Sequence, residues 1–98
     1  DPEQLNIPVE RVKEIRGTVA SLRLDAVAGL GYGVSRSRMA REIKMAKVKV
    51  NWRPVTDSDY KVAVGDVLSI LGRGRVEVAE VGGETKKGRL VVKLRRLL

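Results

Sequence analysis

The stretch "SRSRMAREIKMAK", residues 35–47, repeats its apolar positions at helical spacing. At about 100° per residue, Met39, Ile43 and Ala46 fall on one narrow arc. That arc predicts a helix whose apolar stripe packs on a neighbouring helix. Ser35 is a natural N-cap, because its side-chain oxygen accepts a bond from an early backbone N–H. Upstream, "RLDAVAGLGYG" places Leu24, Val27 and Ala28 at i, i+3, i+4. This predicts a short first helix, with Gly31 as its left-handed stop.

The period then shortens to two. In "VKVNW", Val48 and Val50 point one way and Lys47, Lys49 and Asn51 the other, which predicts a strand. "NWRPV" reads as a tight turn into a second short strand, and Pro54 puts that strand at an edge. "TDSDY" is a polar loop, Gly65-Asp66 a turn, and residues 67–71 a strand. "GRGR" reads as a basic, flexible linker. "VEVAEV" alternates as a strand, "GGETKKG" as a hairpin loop and "RLVVKLRRL" as the returning strand. Near the start, "VERVKEIRGTVASL" is ambiguous. Gly17 and Thr18 interrupt a helix, which favours a short strand near residues 15–21. Residues 1–14 read as a linker or the end of a preceding domain. The chain begins at Asp1 rather than Met, as a piece of a longer protein would.

Composition narrows the chemistry. The 98 residues suffice for one small domain, and 43% hydrophobic content argues against disorder. With Trp52, Tyr32 and Tyr60 as the aromatics, the core must be aliphatic. There is no Cys and no His, which removes disulfides, thiolate catalysis and imidazole acid–base chemistry. No Lys stands in a recognisable catalytic motif, so no catalytic residue is assigned. No cofactor or metal is expected: Asp57 and Asp59 sit in a loop and serve best as turn starters. No apolar run reaches membrane-spanning length. Gly29, Gly31 and Gly33 invite a phosphate-loop reading, but their spacing is not G-x-G-x-x-G and no Gly-Lys-Ser/Thr follows.

Charge sharpens the picture. The formal net charge is +8. Residues 1–22 carry −1, residues 57–98 carry +3 and residues 23–56 carry +6. A small domain with that imbalance points to a polyanion, nucleic acid first. The excess centres on the second helix, whose start bears Arg36 and Arg38, followed by Arg41. A helix N-terminus is partially positive and repels such neighbours. One explanation is a phosphate site: free backbone N–H groups, the Ser35 and Ser37 hydroxyls, and arginines that fork onto phosphate oxygens. The other is that the arginines swing outward into water, or that Arg38 pairs with Glu42 at i, i+4. Lys44, Lys47 and Lys49 extend the same surface, and Arg53, Arg73, Arg75 and the Lys86-Lys87 loop widen it.

Several pieces together resemble the S-four RNA-binding domain, named for ribosomal small-subunit protein four. They are Arg23-Leu24-Asp25, Ser35-Arg36-Ser37, Ile43-Lys44, Val48-Lys49-Val50-Asn51, and Gly65-Asp66 before a hydrophobic strand. The order and spacing hold over residues 23–70. "VASLRLD", "VNWRPV", "GRGRVEV" and "TKKGRL" are similar to the C-terminal part of YlmH-like proteins, including the cyanobacterial and plastid photosystem II S-four domain protein. The resemblance implies an α+β fold, the αL motif: two short packed helices on a small, bent, mostly antiparallel β-sheet, here with a C-terminal β-hairpin extension over residues 71–98. It implies an RNA-binding domain over residues 15–98 that contacts structured RNA, ribosomal RNA or tRNA, through Arg23, Ser35, Arg36, Ser37, Arg41, Lys44 and Asn51. It also implies a ribosome or subunit as partner, and a cytoplasmic or plastid-stromal setting. We expect a monomer. Two positions depart from the family. Ala46 and Trp52 stand where many members have Gly, so the helix end and the turn after Asn51 should differ. Trp52 has two readings, a base-stacking face or, preferred, a cover for a core edge. Two rivals remain open: the targeting domain of a larger RNA-modifying or tRNA-charging enzyme, and a protein-interaction module.

Overall fold

A computed structural model describes residues 12–97. The chain order is β1 (Val12–Val19), α1 (Leu24–Tyr32), α2 (Arg36–Lys44), β2 (Val48–Val50), β3 (Arg53–Pro54), β4 (Val67–Ile70), β5 (Gly74–Glu84) and β6 (Leu90–Leu97). The strands form one six-stranded sheet in the order β1-β6-β5-β4-β2-β3. Every pairing is antiparallel. The expected α+β class, with two short helices on an antiparallel sheet and a C-terminal hairpin, is therefore what the chain adopts.

The core lies between the helices and one face of the sheet. Leu24, Val27 and Ala28 of α1 and Met39 and Ile43 of α2 are fully buried. They meet Val48, Val50, Leu68, Ile70, Val76, Val78, Val92 and Leu94 from alternate strand positions. Each large aliphatic side chain so buried contributes about 1.5–3 kcal/mol relative to exposure. Tyr32 is the aromatic member. Its hydroxyl donates to the carbonyls of Gly74 (2.8 Å) and Leu68 (3.2 Å), and the Arg96 guanidinium lies 5.3 Å from its ring centroid. Burial pushes the phenol up to about 12, although the charges of Arg96 and Arg73 pull the other way.

Several expectations shift. The first strand begins at Val12, so residues 12–14 belong to the sheet rather than to a linker, while residues 1–11 lie outside the described part. Helix α1 runs through Gly31 and stops at Gly33, φ 70°. Gly31 packs against the sheet instead: an added Cβ would come within 2.9 Å of Val76 Cγ1. Gly29 faces the Val34 carbonyl oxygen, 2.8 Å from where a Cβ would stand. The glycine series thus serves packing and a helix stop. "GRGR" is no linker. Residues 71–73 make a tight turn, and Gly74 and Arg75 already pair in β5 with Ile70 and Ser69. Gly82, Gly83 and Glu84 belong to β5, whose register against β6 shifts between Val78 and Glu80 and again between Val81 and Glu84.

Helix α2 ends at Lys44, and Ala46 is not on its apolar stripe. Ala46 is exposed with φ 61°. Its N–H donates to the Ile43 carbonyl and that of Lys47 to the Glu42 carbonyl. That bond pair is a Schellman motif with alanine in the left-handed position usually held by glycine.

Candidate nucleic-acid interface

Ser35 caps α2 as its sequence position suggests. Its Oγ accepts from the Arg38 amide at 3.2 Å and lies 3.4 Å from Ser37 Oγ. The amides of Arg36 and Ser37 donate to nothing among the described residues. They keep the open donors of a helix start. Arg36, Ser37, Arg41 and Lys44 fall on one exposed arc of the helix. Arg41 and Lys44 occupy the last turn, not the first. The dipole favours cations there. Neither Arg41 nor Lys44 has a carboxylate partner among the described residues.

Other arginines are already partnered. Arg23 forks onto Asp25 at 3.1 and 3.0 Å and meets Asp59 at 2.6 Å. Asp25 is 3% exposed and also lies 3.5 Å from Arg36. Burial alone would raise its carboxyl. The Arg23 hydrogen bond, the charges of Arg36 and Arg23 and the Ala26 amide outweigh that and hold it below the usual carboxylate range. The same hydrogen bond from Arg23 to Asp25 raises the Arg23 guanidinium further. Arg73 forks onto Glu42 at 2.8 and 3.2 Å, with Arg38 at 3.6 Å from the same carboxylate. The Arg73 bond chiefly keeps the Glu42 carboxyl low. Arg23, Arg38 and Arg73 are thus turned toward carboxylates of this chain.

The remaining cations divide between surfaces. Val48 and Val50 face the core, so Lys49 between them points to the sheet face away from the helices. Its cross-strand row continues through Ser69 to Arg75. With Lys47 they border a groove of about 800 Å³ that also touches Ala46, Ile70, Leu71, Gly72 and Gly74. Lys47 and Lys49 therefore do not continue the α2 arc as the sequence reading has it. They flank a second basic face, in which Leu71 is fully exposed. The Lys86-Lys87 loop is remote from this second face, on the order of 30 Å along β5 from Arg75.

The turn after β2 combines a structural and an open feature. Lys49 pairs with Pro54 and Val50 with Arg53, leaving a two-residue loop of Asn51 (φ 52°) and Trp52 (φ 69°). Two positive φ values are the signature of a type I′ turn. The glycine-like backbone survives at Trp52, contrary to the expected change of turn. Asn51 locks that turn. Its Nδ2 donates to Asp66 Oδ1 and its Oδ1 accepts from the Val67 amide, both at 3.0 Å. Trp52 is 63% exposed, so it does not cover a core edge. Arg53 is exposed beside it.

The sequence reading missed the sharing of Asp25 between two arginines and the Arg73–Glu42 fork. "RLD" was a legible hint to the first. The second joins residues 31 apart in sequence and left no local signal.

Residues 22–68 match the S4 domain family. The chain is 44% identical over 96 residues to the ribosome-associated protein quality control protein P2 of Bacillus subtilis (strain 168). That match takes in 98% of this chain and 37% of the relative, so the chain spans little more than a third of that protein.

Proposed function

The chain carries an S4 domain over residues 22–68, and from that premise we propose that it is a non-catalytic module gripping structured RNA, ribosomal RNA or tRNA, on the ribosome or one of its subunits. It acts as a monomer in the cytoplasm. The Bacillus relative is named as ribosome-associated, which supports the location. No described helix is long and apolar enough to cross a membrane.

The observation that carries the reading is the exposed arc of α2. This protein folds Arg23, Arg38 and Arg73 onto its own carboxylates. Along the arc it leaves Arg41 and Lys44 in the last turn without an acid among the described residues, and the Arg36 and Ser37 amides open at the first turn. Phosphate oxygens complete such a site, accepting from the amides and forking with the arginines. Recognition is then by backbone and shape more than by base sequence.

The test is binding of the chain to ribosomal RNA and tRNA at rising salt. The logarithm of affinity should fall linearly with the logarithm of salt, by about 0.9 per duplex phosphate neutralised. A flat response would sink the proposal.

A further inference from the structure

Trp52 breaks two rules at once. A bulky side chain at positive φ is a backbone outlier, and the second position of a type I′ turn favours glycine. Trp52 nonetheless adopts φ 69°. Burial is the usual compensation for such strain, yet this side chain is 63% exposed. The chain thus maintains a costly conformation whose product is an aromatic face in solvent.

The turn is also held firmly. Asn51 donates to Asp66 and accepts from the Val67 amide, and the Asn51 amide donates to the Val67 carbonyl at 2.8 Å. The backbone that presents Trp52 is therefore tied to the start of β4. Its sequence neighbours are basic, with Lys49 two positions before the turn and Arg53 directly after it, both exposed. The nearest carboxylate in the turn network, Asp66, is engaged by the Asn51 amide group and by the Ala63 amide. A rigid aromatic face beside exposed cations matches the way proteins hold unstacked bases, through the base's π-face with phosphates neutralised alongside.

We propose that Trp52 is a stacking platform for one unpaired nucleobase of the bound RNA. This rests on the RNA-binding reading above and adds that the target includes a loop, bulge or end near its duplex. The α2 arc and the β2–β3 turn then divide the work. The first holds phosphates, and the second tells an unstacked base from a paired one.

Trp52 is the one tryptophan in the sequence, so its emission reports on this position directly. The test uses the full chain with two probes, an RNA hairpin bearing an unpaired loop and a fully paired RNA duplex of equal length. The loop RNA should quench the emission at saturation and the duplex should not. Trp52→Ala should weaken loop RNA by about tenfold, within the range for loss of one stacked base, and leave duplex binding unchanged. Trp52→Tyr should restore most of the affinity. Trp52→Gly, which suits the turn, should behave as the alanine variant does, excluding misfolding as the cause. If both RNAs bind with the expected salt dependence while emission and the Trp52→Ala affinities stay unchanged, the stacking proposal is overturned, the RNA-binding reading stands, and the exposed ring is assigned to a protein contact. If neither RNA binds, both proposals fall.

Discussion

Replacing Ala46 by glycine should stabilise this protein, and the structure fixes the reason. Helices α1 and α2 end in the same way. In α1 the left-handed residue is Gly33, and the Val34 amide returns to the Gly29 carbonyl at 3.0 Å. In α2 the left-handed residue is Ala46, and the Lys47 amide returns to the Glu42 carbonyl at 3.1 Å. An L-residue with a Cβ in that conformation costs roughly 1–2 kcal/mol. Glycine removes that cost but adds about 0.5–1 kcal/mol of backbone entropy to the unfolded chain. The Ala46 methyl is exposed, so little burial is lost. The balance is a gain of about 0.5–1 kcal/mol. At a urea dependence of about 1 kcal/mol per molar for so small a domain, the unfolding midpoint should rise by about 0.5–1 M with an unchanged slope. Ala46→Val, with a β-branched side chain at the same φ, should move the midpoint down. An Ala46→Gly midpoint at or below that of the parent would refute the strain argument.

Three further outcomes are expected. Arg36→Gln/Arg41→Gln should reduce the salt slope of RNA binding by about 1–2, because each cation accounts for roughly 0.9, whereas Arg38→Gln, which lies off that arc on the Glu42 side of the helix, should barely change it; equal slopes in isotherms from low to physiological salt would remove the α2 arc from the interface. Asp25→Asn should cost about 1.5–3 kcal/mol in urea unfolding, the range for a hydrogen bond to a charged group. Because the folded Asp25 carboxyl is held low, its contribution is complete above the ordinary carboxylate range near pH 4 and disappears as pH falls through the lower folded value; a parent-to-variant difference that grows toward acid pH would contradict that sign. Gly31→Ala should destabilise by about 1–3 kcal/mol through overpacking, since the new methyl meets the buried Val76 at 2.9 Å; a thermal midpoint equal to the parent's would mean that the helix shifts freely.

What the sequence could reveal was local. Ser35 as cap, Met39 and Ile43 as a buried stripe, the Val48–Val50 alternation and Pro54 on an edge strand all rest on contacts within a few residues. The errors arise where a distant partner decides. Strand β1 begins early because Val12 pairs with Leu97 at the other end of the chain. Gly31 reads as a stop until Val76 and Leu94 are packed against it. "GRGR" reads as flexible until Gly74 pairs with Ile70. The candidate site divides in the same way. Its residue types were legible, whereas the fork between Arg73 and Glu42 and the turning of Lys49 toward Arg75 are consequences of the fold.

The arginines at the start of α2 show how the local and the distant combine. Taken alone, the helix end repels them. In the fold, α1 supplies Asp25 beside Arg36 and α2 supplies Glu42 beside Arg38, so much of the repulsion is met inside the protein. Both carboxylates are shared, since Arg23 and Arg73 hold them more closely by bidentate bonds. Those forks anchor the acids. Arg36 and Arg38, at 3.5 and 3.6 Å, are the looser partners and the more exposed side chains. A phosphate arriving at the helix start can therefore draw Arg36 away from Asp25 without leaving the buried carboxylate unpaired, because Arg23 remains. The paired acids set the resting position of the outer arginines while the inner ones carry the stability. On this arrangement, Arg23→Gln should damage folding and Arg36→Gln should damage RNA binding. Urea unfolding and RNA titration on the same two variants would expose an error in that division.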